Sequence, residues 1–313
     1  MVKKYKDRYD ILGRAALFMM TFIWGTSFLM QKNTLNEVPT LFLLAFRFTG
    51  AALLIFLLFI KQMKNIDWQY VWNGIVLGVL LFLGYVVQTY GLYYTTPSKN
   101  AFLSAIYCVL VPFITWVVFH KKPDGYNVAA AFLCFGGVAL VALKEDMSMS
   151  FGDMLTIASG LFYGVHIVMS AKYIEGRSVA VLTFVQFFTA AIISWAFAVM
   201  NETFPQNIST GNIWSILYLS IFCTGICFVL QMFGQKHTPA TTTALIMTLE
   251  SVFGTIFSVW FGNERLNGRL ISGFALIFLA ILISDTKLSF LHRHNDGNGG
   301  GPGEGTPETK LFD

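Results

Sequence analysis

Three ionisable side chains stand well inside apolar runs: Arg47, His166 and Glu250. Glu250 sits near the middle of ATTTALIMTLESVFGTIFSVWF, residues 240–261, a stretch long enough to cross a bilayer, for which a helix needs about 20 residues. A charge at that depth is costly, so an intramembrane ionisable residue is a functional candidate by default. With a helical rise of 1.5 Å per residue, Glu250 lies ~15 Å and Arg47 ~12 Å from the nearer end of its run, both close to a midplane. Two readings are open. In one, Glu250 and His166 form a proton or substrate site and Arg47 is the counter-charge. In the other, Arg47 and Glu250 are a structural pair that neutralises two costly charges. His166 could also be a neutral imidazole on a backbone carbonyl, while its near-neutral pKa keeps a proton role open.

A second group could meet a small organic ligand by stacking or hydrogen bonding: Trp24, Gln88, Tyr107, Trp116, Tyr163 and Gln231. Packing or an interfacial belt explains each of them equally simply. Cys223 and Cys227, one turn apart, could share a metal, but all four cysteines lie in apolar runs and read as buried thiols. No metal or cofactor is expected. The sequence holds no P-loop and no H-E-x-x-H, and no aspartate falls mid-span, which argues against the commoner intramembrane hydrolases.

The elements that position these residues follow from composition. The chain is 55% hydrophobic and 12% charged, about half the charged share of a soluble domain. This is the composition of an all-α polytopic membrane protein, and it gives no sign of a nucleic-acid partner. Apolar runs predict ten transmembrane helices at about 15–31, 39–60, 70–94, 100–119, 126–143, 152–174, 179–200, 212–235, 240–261 and 268–284. Pro97 and Pro239 support two of the breaks, and Pro112, inside a span, predicts a kink. A basic segment, 1–14, precedes an uncleaved first span. The glycine-rich stretch 287–313 reads as a disordered cytoplasmic tail.

With the N-terminus in the cytoplasm, 15 of the 21 Lys and Arg fall on the cytoplasmic side and 5 on the far side, Arg47 being the last. The protein is therefore expected in the cytoplasmic membrane with both termini in the cytoplasm. Trp68, Tyr70 and Trp72 mark one membrane edge; Tyr90, Tyr93 and Tyr94 mark the other.

The halves 15–143 and 144–286 correspond in order. Trp24-Gly25 answers Tyr163-Gly164, Gln88 answers Gln231, and Phe119-His120-Lys121-Lys122 answers Phe261-Gly262-Asn263-Glu264. Five spans per half make the second half enter from the opposite face, giving two inverted five-helix repeats. The spacings Gly74-xxx-Gly78 and Gly160-xxx-Gly164 permit close helix approach, either within the chain or in a homodimer.

The WGTSF motif of the first span followed by Lys32, the LFLLAFRFTGAALL pattern around Arg47, the Thr-Pro breaks and LESVFGTIFSVWFGNERL resemble the drug/metabolite transporter superfamily, in its EamA-type ten-span branch, over residues 11–286. The resemblance implies a basket in which spans 1, 3, 4, 6, 8 and 9 surround a cavity. It also implies export or uptake of a small metabolite without an ATPase domain. Family members commonly carry a proline after the glutamate of span 9. Ser251 stands there in this chain and is expected to straighten that helix.

The expected function is secondary transport of a small organic metabolite, such as an amino acid or related compound, by alternating access. Its expected partners are that substrate, the lipid bilayer and protons. Proton coupling through Glu250 and facilitation without an ion gradient both fit. A membrane-embedded enzyme acting on a lipid-linked substrate and a channel are the alternatives from other classes. The repeat and the lack of polar catalytic loops favour transport.

Overall fold

In the computed structural model, residues 2–143, 148–174, 177–237, 246–247 and 249–286 are described. Among them the secondary structure is helical, apart from one antiparallel bridge between Leu143 and Met149. The helices are α1 (Val2–Thr34), α2 (Thr40–Leu58), α3 (Trp68–Tyr94), α4 (Pro97–Ser104), α5 (Tyr107–Phe119), α6 (Gly125–Ala142), α7 (Phe151–Ile174) and α8 (Val179–Asn201). Then come α9 (Thr210–Tyr218), a π-helical segment (Leu219–Ile226), α10 (Cys227–His237), α11 (Leu249–Gly262) and α12 (Gly268–Thr286). Eight stretches of the described residues are long and apolar enough to cross a membrane, the eighth being Thr210–Gln231. Two shorter apolar helices, Leu249–Gly262 and Gly268–Ser284, follow. The first half of the predicted span 240–261, with Pro239, and the tail 287–313 lie outside the described residues.

Caps explain several boundaries. Thr96 accepts from the Lys99 amide and Pro97 opens α4, so the proline starts a helix at the predicted break. Asp67, Asp124, Ser178 and Ser209 cap α3, α6, α8 and α9 in the same manner. Helix α5 runs through Pro112, and the predicted span 100–119 is interrupted earlier, by the turn at Ala105–Ile106. There the Cys108 and Val109 amides donate to Ala105 and Ile106, three residues back, tightening the chain by one turn of 3-10 type.

Polar links sort the connections onto two faces. On one face, the Glu202 carboxylate accepts from the Leu41 and Phe42 amides and from the Tyr90 hydroxyl. Glu264 accepts from the amide and hydroxyl of Ser98, and Arg269 donates to the Leu143 carbonyl. Lys32 donates to the carbonyls of Leu92, Tyr93 and Thr95, satisfying the end of α3. The Ser209 amide donates to Glu37, and hydrogen bonds from Asn212 and Ser209 hold the Glu37 carboxyl below its ordinary value of 4.5. On the other face, Ser178 binds Tyr70 and Gln62, and Ser284 donates to Asn127.

A small apolar core around Leu17, Met20 and Cys227 and two large ones fill the space between. The larger joins α2, α3, α8 and the π segment around Phe42, Phe48, Leu81 and Phe187. The smaller joins α4, α5 and α6 to α12, with the Phe102 and Phe274 rings stacked at 4.4 Å. Both predicted glycine pairs are used within the chain. A Cβ on Gly78 would stand 2.7 Å from the Gln186 carbonyl oxygen of α8, and one on Gly164 would stand 2.7 Å from Ile114 Cδ1 of α5.

Candidate functional site

Arg47 organises the interior. It is 3% exposed on α2, and two of its nitrogens donate to protein side chains. Nε donates to Thr224 Oγ1 at 2.6 Å and Nη1 donates to Gln31 Oε1 at 2.5 Å. The guanidinium lies over the Tyr85 ring, 4.9 Å from its centroid, a favourable cation–π placement. Gln31 is itself fixed, because its Nε2 donates to Thr89 Oγ1 at 2.9 Å.

Local helix geometry brings Thr224 to this position. The Thr224 hydroxyl donates to the Leu219 carbonyl, five residues back, as the wide π turn requires. At the end of the segment the Cys227 amide donates to Phe222 and Thr224 and passes over Cys223. The Cys223 carbonyl instead accepts from Trp24 Nε1 at 2.6 Å. Trp24 is thereby a clamp on the π segment, packed edge-on to Phe228.

From Arg47 a line of tyrosines crosses the interior. Tyr85 meets Tyr163 edge-to-face at 5.6 Å, and Tyr163 meets Tyr107 at 6.3 Å. The Tyr163 hydroxyl donates to Gln88 Oε1 at 2.7 Å. The Gln88 carbonyl accepts from Asn100 Nδ2, which also donates to Thr156. Tyr107 then lines a small cavity of about 10 Å³ with Glu250, Ser104, Cys108, Met247 and Ser251. Arg47 and Glu250 thus stand at opposite ends of the tyrosine line.

No ion pair among the described residues joins Arg47 to Glu250. The direct structural pair is therefore not formed, and neutral acceptors hold the arginine instead. His166 Nε2 is 2.9 Å from Gln186 Oε1 of α8, and no hydrogen bond among the described residues links it to Glu250. Trp116, 44% exposed near the far end of α5, and Gln231, half-buried on α10, stand outside the network of described contacts. Ser251 uses its hydroxyl on the Ala101 carbonyl of α4, tying α11 to α4.

Gln31, Tyr85, Thr89 and Thr224 were not singled out from sequence. Neutral polar residues in apolar runs give no distinguishing signal until a fold sets them beside a charge. Span 2, which the resemblance leaves outside the lining, supplies the central cation. What the arrangement can do is bind: it combines fixed donors, aromatic faces and one carboxylate in a buried, largely preformed setting.

A model of the EamA-like transporter family matches the chain twice, over residues 11–143 and 150–284. An uncharacterized transporter of Archaeoglobus fulgidus is 33% identical over 283 residues, covering 90% of this chain and 88% of that protein. The uncharacterized transporter YoaV of Bacillus subtilis is 23% identical over 281 residues, covering 87% and 96%. A solved crystal structure shares the fold with a TM-score of 0.66 at 18% identity, over 89% of this chain and 98% of that one.

Proposed function

The chain belongs to the EamA-like transporter family, and from that premise we propose that it is a secondary transporter working by alternating access in the cytoplasmic membrane. It moves a small organic metabolite, such as an amino acid or related compound. The observation that carries this reading is the buried Arg47 cluster: a cation held by neutral groups of α1, α3 and the π segment, at one end of a line of three tyrosines and with no ion-paired carboxylate among the described residues. A structural cation would be expected to have a paired anion. A ligand site keeps its donors and aromatic faces for the ligand.

Alternating access rests on two inverted repeats of five spans, 15–143 and 144–286, ten crossings in all, with both termini cytoplasmic. Several observations support that architecture. Among the described residues, the two non-glycine residues with positive φ are His120 at 58° and Asn263 at 54°, each just past the end of its helix, α5 or α11. In the aligned halves they stand one position apart, His120 answering Gly262, the residue before Asn263. The Gly25 position of α1 meets Phe253 of α11, while the Gly164 position of α7 meets Leu110 and Ile114 of α5. Exchange of the halves turns one contact into the other. Helices of equal rank also pack together: α2 on α8, α6 on α12, and α4 on α11. The lysine and arginine bias supports this orientation. We assign ion coupling to Glu250.

The test uses purified protein in liposomes loaded with a small-metabolite extract. Mass spectrometry of the outside medium should show a limited set of compounds leaving only when the protein is present, faster when the same compounds are supplied outside. Arg47→Met should abolish that efflux while the protein still elutes as a folded species. Efflux of all small solutes without saturation would indicate a channel. New chemical species in the extract would indicate an enzyme.

A further inference from the structure

The cavity at the far end of the tyrosine line is too small for a metabolite. Its volume of about 10 Å³ is on the order of the minimum that holds a single water. Its polar lining is also unusual in sign. The Ser104 hydroxyl donates to the Asn100 carbonyl at 2.7 Å, and the Ser251 hydroxyl donates to the Ala101 carbonyl at 3.0 Å. Both hydroxyl protons are thus committed to α4 backbone, and each oxygen can offer only lone pairs to the space between them. Of the other lining residues that carry a side-chain oxygen, Tyr107 and Glu250, the Glu250 carboxylate has no hydrogen bond or ion pair to a described residue. An ionised carboxylate at this depth needs a counter-charge. Arg47, the one intramembrane cation of the sequence reading, is bound elsewhere, to Gln31 and Thr224.

We propose that this cavity is a binding site for one small monovalent cation, of the size and hardness of Na⁺, held by Glu250 with the Ser104 and Ser251 hydroxyl oxygens. A single carboxylate matches a single positive charge. Hard cations take oxygen ligands, and Mg²⁺, which keeps several waters, would not fit a space of this size. The site lies where the chain breaks between α4 and α5, with α11 closing the other side. Interrupted helices are where transporters of other folds hold coupling ions. Movement of α11 against α4 would dismantle the site, so cation occupancy and the packing of the two halves are linked. The role in coupling rests on the transporter reading; the binding site itself does not.

The experiment measures the melting temperature of the purified full chain in detergent against NaCl, with N-methylglucamine chloride holding ionic strength constant. A saturable rise with Na⁺ is expected in the wild type. Glu250→Gln should lose it. Ser104→Ala and Ser251→Ala should keep the sodium-free melting temperature within a few degrees and raise the half-saturating Na⁺ concentration by about five-fold or more, the equivalent of one lost ligand. If Glu250→Gln fails to fold, the serine variants read the same midpoint. No saturable Na⁺ effect in the wild type overturns the proposal, as does a Na⁺ effect whose midpoint none of the three variants moves. Efflux that persists without any Na⁺ effect on melting would remove the cation site and leave the transporter. A Na⁺ effect in a protein that moves no metabolite would do the reverse.

Discussion

Arg47 and Glu250 were the two residues most visible in the sequence, because a charge inside an apolar run is conspicuous on its own. Their relation was not visible. A contact between them would make Glu250→Gln cost about 3–5 kcal/mol, by leaving the arginine alone. With Arg47 already bonded to Thr224 and Gln31, the expected loss is smaller, about 1 kcal/mol or less, and Arg47→Met should not restore it. Denaturation of the two single mutants and the double mutant checks this. Rescue of stability in the double mutant would mean that the two charges meet. Thr224→Val, by contrast, removes an acceptor from a buried cation and should cost about 1.5–3 kcal/mol. Thr224 is 177 positions from Arg47, and no local pattern could have named it.

At the scale of the element, the apolar runs located the eight long spans to within a few residues, since length and composition alone determine which segments can enter a bilayer. What they missed is where helices depart from regular geometry. The π segment, LSIFCTGI, reads as ordinary helix. Its wide turn goes with contacts made by other helices, from Arg47 and Trp24. The interruption at Ala105–Ile106 also lacks a proline or glycine to announce it. The glycine pairs were legible as close contacts but not as to partner. Their different neighbours give an ordering. A methyl on Gly78 meets the Gln186 carbonyl at 2.7 Å and Thr189 Cβ at 2.6 Å, neither of which can swing away. A methyl on Gly164 meets the flexible end of Ile114. Gly78→Ala should therefore lose about 1–3 kcal/mol, the usual range for overpacking, and Gly164→Ala clearly less. Gly164→Leu, which adds three more carbons, should fall back to the larger loss. Melting temperatures of the three variants decide the order. Equal values for Gly78→Ala and Gly164→Ala would show that α3 and α8 can part as easily as α5 and α7.

For the whole molecule, the sequence supplied both the membrane class and the reading of two related halves, because charge bias and ordered correspondence are properties of the chain as a string. Opposite-face labelling tests the orientation. Single cysteines at Lys64 and Lys122 should react from the cytoplasmic side and one at Asn207 from the other, as should one at Lys144, which lies outside the described residues. Labelling of Lys122 and Lys144 from one side would contradict the inverted arrangement. The central claim is that transport requires the two halves to move against each other about the Arg47 cluster. Glu264 of the second half holds Ser98 of the first through both its amide and its hydroxyl, joining α4 to the end of α11 on the face that the proposed topology puts outside the cytoplasm. Replacing both residues by cysteine in a cysteine-free background and joining them with a short reducible crosslinker would lock that closure. The measurement is metabolite efflux from liposomes before crosslinking, after it, and after reduction. Alternating access predicts that efflux stops in the locked protein and returns when the link is cut. Undiminished efflux through fully crosslinked protein would contradict it.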